Sequence, residues 1–243
     1  MKSIGKYILF IRSLFTNMES PGTYAKLFMD ECVQIGLNSI VIVSIVSVFI
    51  GAVTTIQTAY NLVSPLIADY VISLVVRDMT ILELAPSITA IVFAGKVGSN
   101  IAGELGTMRI TEQIDALEVM GINSSSYLVF PKILATLFMY PLLVIVAAFL
   151  SIYGGYLAGI VSEVVTPQDY IYGIQYELNS FMVTFALIKS FVFAFLISSI
   201  SAFKGYYTEG GAFEVGKAST SAVTNSVIAI LLADYLLAEL FLN

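Results

Sequence analysis

Residues 95–121 read GKVGSNIAGELGTMRITEQIDALEVMG, and this stretch decides the fold. Around its first half, small residues recur every four positions, which lets a second helix approach closely within a bilayer. These helix-packing residues are Ala94, Gly98, Ala102 and Gly106. From Arg109 onward, apolar and acidic side chains recur at helical spacing. The sequence therefore predicts a membrane helix that continues into a short, acidic amphipathic helix in water.

Composition places the whole chain in the membrane class. Hydrophobic residues make up 58% of the 243 residues and charged residues 12%, and the mean hydropathy is +0.92. Soluble domains carry about 25% charged residues. The chain has no histidine, which excludes histidine-based catalysis and histidine-ligated metal sites. Its single cysteine, Cys32, excludes an intrachain disulfide and most other metal sites. We predict no catalytic residue, no metal site and no nucleic-acid binding in one all-α, polytopic domain covering residues 1–243.

Five apolar stretches are long enough to cross a bilayer. They lie at residues 33–57, 84–106, 133–162, 178–203 and 218–238. Residues 62–76 are also apolar, but the stretch is short and contains Pro65 and Asp69. This segment is interpreted as interfacial, as re-entrant, or as an extension of the second span.

The basic residues favour five spans over six. With five spans, nearly all of them fall on one side of the membrane and Arg77 lies alone on the other. The positive-inside rule then predicts a cytoplasmic N-terminus and an external C-terminus. Residues 1–30 are expected to form an amphipathic helix in the cytoplasmic interface, with a break at Pro21. A signal peptide is disfavoured because Arg12 interrupts the apolar core and no small-residue cleavage site follows.

The block from Ala94 to Ile122 closely resembles the MlaE/YrbE-type permeases of lipid-transporting ABC systems, which work with MCE-domain proteins. The resemblance covers nearly the whole chain in order. It also rests on Glu83-Leu84-Ala85-Pro86, on Phe130-Pro131-Lys132, on the run from Thr208 to Ala218, and on Asp234-Tyr235. One departure is Leu82, where the family often has arginine.

The resemblance implies a homodimeric permease in the bacterial inner membrane, with its C-terminus in the periplasm. Its implied task is to move phospholipid between that membrane and an outer-membrane shuttle. The implied partners are a cytoplasmic ABC ATPase, an MCE-domain protein on the outer side and, in some members, a STAS-domain protein. The chain has no G-x-x-x-x-G-K-[ST] motif, so ATP and magnesium are expected in the ATPase and the chain is not expected to be an enzyme.

The amphipathic stretch after Arg109 matches the segment through which the family contacts its ATPase. We expect three apolar side chains, Ile114, Leu117 and Met120, to enter a groove of the ATPase. Acidic side chains around them are expected to pair with basic residues at the rim of that groove. The predicted coupling residues are Arg109, Glu112, Ile114, Asp115, Leu117, Glu118 and Met120. A solvated connecting helix is the alternative.

Residues at the outer ends of the first two spans mix apolar and polar side chains, which suits lipid chains and a headgroup. The predicted lipid-binding residues are Ile56, Gln57, Leu62, Leu66, Leu82 and Glu83. The alternative is a peripheral helix in the interface.

Lys189 and Asp234 are predicted to form an intramembrane charge pair. Counted along their helices, they lie about 21 Å and about 24 Å above the cytoplasmic face. A lone charge in the bilayer centre costs roughly 2.5–3.5 kcal/mol, which favours pairing. Alternatively, Asp234 reaches the outer interface and Lys189 extends toward the headgroups.

Two other readings of the sequence stay open. A secondary transporter or channel would use Lys96, Lys189, Glu83 and Asp234 as an ion path. A membrane-embedded lipid enzyme fits less well, because the chain has neither histidine nor a G-x-S-x-G elbow. The four helix-packing residues Ala94, Gly98, Ala102 and Gly106, which we call the small-residue ladder, also suit ordinary packing within one subunit.

Overall fold

The computed structural model describes residues 2–62 and 68–242, and these ranges contain helices and no strand. Five helices are long and apolar enough to cross a membrane, as predicted. We call them spans 1 to 5: Pro21–Asn61, Tyr70–Ile110, Ser124–Val161, Ser180–Tyr206 and Ala212–Phe241. Three shorter helices lie at Lys2–Ser13, Gln113–Val119 and Pro167–Gln175. Each span is longer than the apolar stretch that predicted it, because polar flanks continue the same helix.

Spans 1 and 3 form one closely packed pair, and spans 4 and 5 form another. The first pair has backbone contact: a Cβ atom added to Gly51 would lie 1.7 Å from the carbonyl oxygen of Ser151. One added to Gly154 would lie 2.3 Å from that of Val48. Only glycine permits such an approach. Span 2 contacts both pairs.

The small residues of span 2 pack within the chain. Ala94 and Ala102 are fully buried, and a Cβ on Gly98 would lie 2.9 Å from Ser201 Oγ of span 4. A Cβ on Gly106 would lie 3.2 Å from Val215 Cγ1 of span 5. The ladder therefore serves close approach of spans 4 and 5 to span 2 inside one subunit.

Spans 1 and 2 contain wide, π-helical turns. They lie at Cys32–Leu37 in span 1 and at Thr80–Ile88 and Ala94–Gly98 in span 2. Pro86 falls within a wide turn and cannot donate a backbone hydrogen bond. The hydroxyl of Tyr140 in span 3 donates a 2.6 Å hydrogen bond to the carbonyl oxygen of Pro86. The wide turns of span 2 are therefore fixed by neighbouring helices.

The N-terminal segment departs from a single interfacial helix over residues 1–30. A helix at Lys2–Ser13 ends before the predicted break, and Pro21 begins span 1. Proline suits the first helical turn because the N–H that it lacks would have no partner there. Phe10 and Leu14 are each 1% exposed and pack against the bundle. The N-terminal helix is thus docked on the protein itself through these two side chains.

The far end of the bundle, opposite the N-terminal helix, is closed by Arg77. Span 2 begins at Tyr70, so residues 70–76 extend this span, while Pro65 and Leu66 lie outside the described residues. Arg77 is 2% exposed and pairs with Asp78 at 2.7 Å. Its guanidinium also donates to the carbonyls of Ile174 and Tyr176, at 2.8 and 2.6 Å. Arg77 therefore satisfies carbonyls at the end of the Pro167–Gln175 helix.

Candidate functional site

Three charged side chains from spans 2, 4 and 5 meet inside the bundle. Lys189 Nζ donates a 2.6 Å hydrogen bond to Glu83 Oε1 and lies 2.6 Å from Asp234 Oδ1. The lysine side chain is 0% exposed, whereas Glu83 is 46% and Asp234 17% exposed. We call these residues the Lys189 triad. The depths of Lys189 and Asp234 predicted this contact, and the structure brings the two residues together.

Neighbouring groups complete the polar surroundings of the Lys189 triad. Lys189 Nζ also donates a 3.0 Å hydrogen bond to the carbonyl oxygen of Leu82, which lies in a wide turn of span 2. Ser87 Oγ lies 2.9 Å from Asp234 Oδ2 and 3.3 Å from Glu83 Oε2. The enclosed ammonium thus has three oxygen partners, which offset the cost of removing it from water.

A second triad lies nearer the bundle end that carries the N-terminal helix. Lys132 Nζ of span 3 lies 2.6 Å from Glu31 Oε1 of span 1 and 2.8 Å from Glu104 Oε2 of span 2. Its side chain is 3% exposed. We call these residues the Lys132 triad. The sequence does not predict this triad directly, because a lysine at the start of span 3 also suits a flanking positive charge. One lysine and two glutamates at matched depth are the signal that points to it.

Span 2 contributes to both triads. Glu83 and Glu104 are 21 residues apart, which is roughly 30 Å along a helix. This separation equals the usual thickness of the hydrocarbon core. The two triads therefore have the spacing of the two borders of a bilayer, and span 2 links them directly.

Span 2 ends next to the predicted coupling segment. A tight turn with Glu112 in the left-handed region (φ 60°) separates it from the Gln113–Val119 helix. Arg109 and Asp115 form an ion pair of 2.5 Å across this turn. We call Gln113–Val119 the connecting helix. The ion pair and the turn hold it at a fixed angle to span 2.

The structure corrects which side chains of the connecting helix are available to a partner. Ile114 is 0% exposed and belongs to the core of the bundle, so it cannot enter a groove of another protein. Glu118 accepts hydrogen bonds from Ser124 and Tyr206, at 2.9 and 3.1 Å. The helix therefore docks on its own bundle through one face, and the sequence pattern alone could not tell which face.

The free end of the connecting helix presents different residues. Val119 is 89% exposed and Met120 65% exposed, and Leu117 is half-buried. Glu112 and Asp115 are also exposed. Val119 was missing from the predicted coupling set because its position breaks the helical spacing of the other apolar residues.

The residues predicted to bind lipid do not form one group. Glu83 belongs to the Lys189 triad and the carbonyl of Leu82 accepts a hydrogen bond from Lys189, while Ile56 and Gln57 are exposed on span 1. Leu62 packs against a small core at the far end, around Val76 and Tyr170. A separate apolar cleft of about 140 Å³ lies between spans 2, 3 and 4, lined by Ile81, Ala85, Val144, Ile145, Ala148, Ile152, Val183, Ala186 and Leu187.

A sequence model of the family described as Permease MlaE matches residues 28–240. The chain belongs to this family. The match covers most of span 1, nearly all of span 5, the three spans between them, both triads and the connecting helix, so the geometry above is that of a permease. Together with the relatives below, it shows a multi-pass membrane subunit of an ABC transporter.

Curated relatives agree over most of the permease. A probable ABC transporter permease protein of Rickettsia bellii is 39% identical over 240 residues, which are 99% of this chain and 92% of the relative. One from Synechocystis is 34% identical over 212 residues, 87% of this chain and 80% of the relative. Protein TRIGALACTOSYLDIACYLGLYCEROL 1, chloroplastic, of Arabidopsis thaliana is 38% identical over 168 residues, 65% of this chain and 45% of the relative.

Proposed function

We propose that this permease moves phospholipid and that a separate cytoplasmic ATPase drives it. The observation that carries the proposal is the continuity of span 2, which runs unbroken from Tyr70 to Ile110 and ends at the connecting helix. A force applied to the connecting helix reaches both triads through this one span. The ATP and magnesium of the reaction then belong to the ATPase.

The free end of the connecting helix supports contact with the ATPase. Val119 and Met120 offer apolar anchors, and the carboxylates of Glu112 and Asp115 lie at their rim. Apolar anchors surrounded by charge are the usual energetic layout of a helix that docks in a groove. The half-buried Leu117 is the third apolar residue of this contact. The ion pair with Arg109 orients the carboxylate of Asp115.

A lipid substrate is supported by the surroundings of Glu83. The half-exposed carboxylate offers a polar contact for a headgroup, and the apolar cleft of about 140 Å³, lined by Ile81 and Ala85 of the same wide turn, suits part of an acyl chain. The name of the Arabidopsis relative includes a glycerolipid, which agrees with this chemistry.

Two copies of the chain are proposed to face each other. Span 5 has only 17% of its most apolar window buried within the chain, the smallest share among the five spans. A polar cavity of about 730 Å³ opens beside it, lined by Gln34, Lys96, Ser99, Asn100, Gly103, Glu104, Thr107, Met108, Gln113 and Ser219. Polar groups at membrane depth need cover from lipid tails, and a second copy provides it.

The proposed setting is the bacterial inner membrane, with the N-terminus in the cytoplasm and the C-terminus in the periplasm. The basic residues support this orientation. An MCE-domain protein would then receive or deliver lipid at the Arg77 end, and a STAS-domain protein would join the ATPase side, as the resemblance to the family suggests.

Reconstitution tests the function. The chain is placed in liposomes containing a fluorescent phospholipid, alone or with the proposed cytoplasmic ATPase. We expect lipid movement only with both the ATPase and hydrolysable ATP. Lipid movement by the chain alone under an ion gradient would instead identify a secondary transporter that uses the buried charges.

A variant of the connecting helix tests the drive. Met120→Asp should release the ATPase during co-purification without unfolding the bundle, because this side chain is exposed. Val161→Asp is the matched control, since Val161 is 83% exposed at the opposite end of the bundle. Normal ATPase recovery with Met120→Asp would exclude this contact.

A further inference from the structure

Lys96 of span 2 is the one charge in the hydrocarbon range of this span that belongs to neither triad. It lies 13 residues after Glu83 and 8 before Glu104, which is about 20 Å and about 12 Å along the helix. Among residues 2–62 and 68–242, no carboxylate lies within ion-pair distance of its ammonium. Its hydrogen-bond acceptor is the backbone carbonyl of Asn38 in span 1.

An uncompensated ammonium at this depth is costly, and such residues mark paths for substrates or ions. The bond to the Asn38 carbonyl anchors Lys96 but does not neutralise its charge. Within the described part of one subunit the ammonium therefore lacks an anion, and a bound ligand can supply one.

The surroundings of Lys96 are those of a binding site. It lines a cavity of about 290 Å³ together with the carboxamides of Gln34, Asn38 and Asn100. All three carboxamide residues are exposed. The same cavity opens into the wider polar one of about 730 Å³, because Gln34, Lys96 and Asn100 line both.

The hydrogen-bond donors that line this cavity indicate what kind of ligand it would bind. An ammonium and three carboxamides offer several N–H donors that converge on one space, which suits an oxyanion with several acceptor oxygens. Glu104 also lines the wider cavity, where its carboxylate lies 2.8 Å from Lys132. Among the described residues, no carboxylate lines the smaller cavity, so the formal charge of its lining is positive.

We infer that Lys96, Gln34, Asn38 and Asn100 bind the phosphate group of a phospholipid part-way between the two triads. This inference rests on the proposed function and deepens it, since it assigns the substrate a phosphate headgroup and a second station inside the bundle. The Lys189 triad presents carboxylates to the headgroup, whereas the Lys96 site presents donors. A headgroup that moves from one station to the other would therefore meet carboxylates at the first and N–H donors at the second.

Photocrosslinking in the full chain tests the site. A benzoylphenylalanine in place of Ser99, which lines the wider cavity, is activated in liposomes of labelled phosphatidylglycerol. Parallel liposomes contain labelled diacylglycerol, which lacks phosphate. We expect crosslinks to phosphatidylglycerol in clear excess over diacylglycerol, and a loss of about tenfold with Lys96→Gln, because a charge-assisted hydrogen bond disappears.

Two variants make the result specific. Lys96→Arg should keep the crosslink, since it retains the charge and the donors. Lys217→Gln is the matched control, because Lys217 is 70% exposed at the start of span 5 and lines neither of the two cavities. An unchanged crosslink with Lys96→Gln would overturn the inference. Competition by excess inorganic phosphate would also overturn the lipid assignment, in favour of a free anion.

Two further readouts separate this inference from the proposed function. If Lys96→Gln dissociates the dimer but keeps the crosslink, Lys96 contacts the second subunit and the inference fails. If the wild-type complex transports lipid with ATP and Lys96→Gln matches it, the inference fails alone. If the wild-type complex does not transport lipid, the proposed function fails, while the crosslink still reports on the site.

Discussion

The Lys189 triad and the Lys132 triad share one composition, a buried lysine between two carboxylates, but they join different helices. The Lys189 triad ties span 2 to spans 4 and 5, whereas the Lys132 triad ties it to spans 1 and 3. These are the same two pairs into which the other four spans pack. Any movement of one pair against the other must therefore change the contacts of span 2.

The two triads also differ in their access to other polar groups. Asp234 is 17% exposed and Lys189 fully enclosed. Glu104 is 30% exposed and lines the wide polar cavity, which gives its carboxylate an alternative environment if the lysine is lost. Exposure alone does not separate the triads, because Glu83 is 46% exposed and Glu31 is 16% exposed. Lys189 has one more oxygen partner than Lys132, the carbonyl of Leu82, so we expect the Lys189 triad to depend more strongly on its lysine.

The largest effect is expected for Lys189→Ala. This change leaves Glu83 and Asp234 side by side without a cation and should destabilise the chain by about 3–5 kcal/mol. Denaturant unfolding in detergent micelles measures the loss, with Lys217→Ala as the exposed control. The combined variant Lys189→Met, Glu83→Gln, Asp234→Asn should recover most of the stability, because no uncompensated charge remains. If the losses were strictly additive, the three side chains would not interact.

An intermediate effect is expected for Lys132→Ala. The same kind of charge is removed, but Glu104 can turn into the polar cavity, so we expect a loss of about 1–3 kcal/mol. The same unfolding measurement on both lysine variants tests the comparison. A loss as large as that of Lys189→Ala would mean that the cavity does not relieve Glu104.

The smallest effects sharpen the comparison within the Lys189 triad. Asp234→Asn should cost more stability than Glu83→Gln, because Asp234 is the less exposed carboxylate and also lies 2.9 Å from Ser87 Oγ. Each variant leaves Lys189 with one carboxylate, so we expect about 1 kcal/mol or less for Glu83→Gln. The reverse order would show that the half-exposed glutamate is the main counterion.

Much of the fold follows from the sequence because spans need long apolar stretches and buried charges need partners. Depth counting was sufficient to match Lys189 with Asp234. It did not give the third partner: Glu83 lies at the predicted border of span 2, where a carboxylate also suits water or a headgroup. The Lys132 triad was hidden for the same reason, since charges near the ends of spans are usually solvated.

The connecting helix shows a different limit. Its apolar periodicity correctly indicated two faces, but periodicity does not say which face the protein covers itself. Ile114 turned out to belong to the core, and the exposed Val119 lies off the predicted stripe. Similarly, the small-residue ladder indicated close helix contact without telling whether the partner was another span or another subunit.

The wide turns of span 2 change the directions in which its side chains point around the helix axis. Each holds a surplus residue relative to an α-helical turn, and one residue corresponds to about 100° of rotation about the helix axis. Two wide turns lie at Thr80–Ile88 and Ala94–Gly98, with Glu83 in the first and Glu104 beyond the second. The rotational register between the two glutamates is therefore set by these turns as well as by helix length. Span 2 can thus be anchored at two levels facing different neighbours while remaining a single unbroken rod.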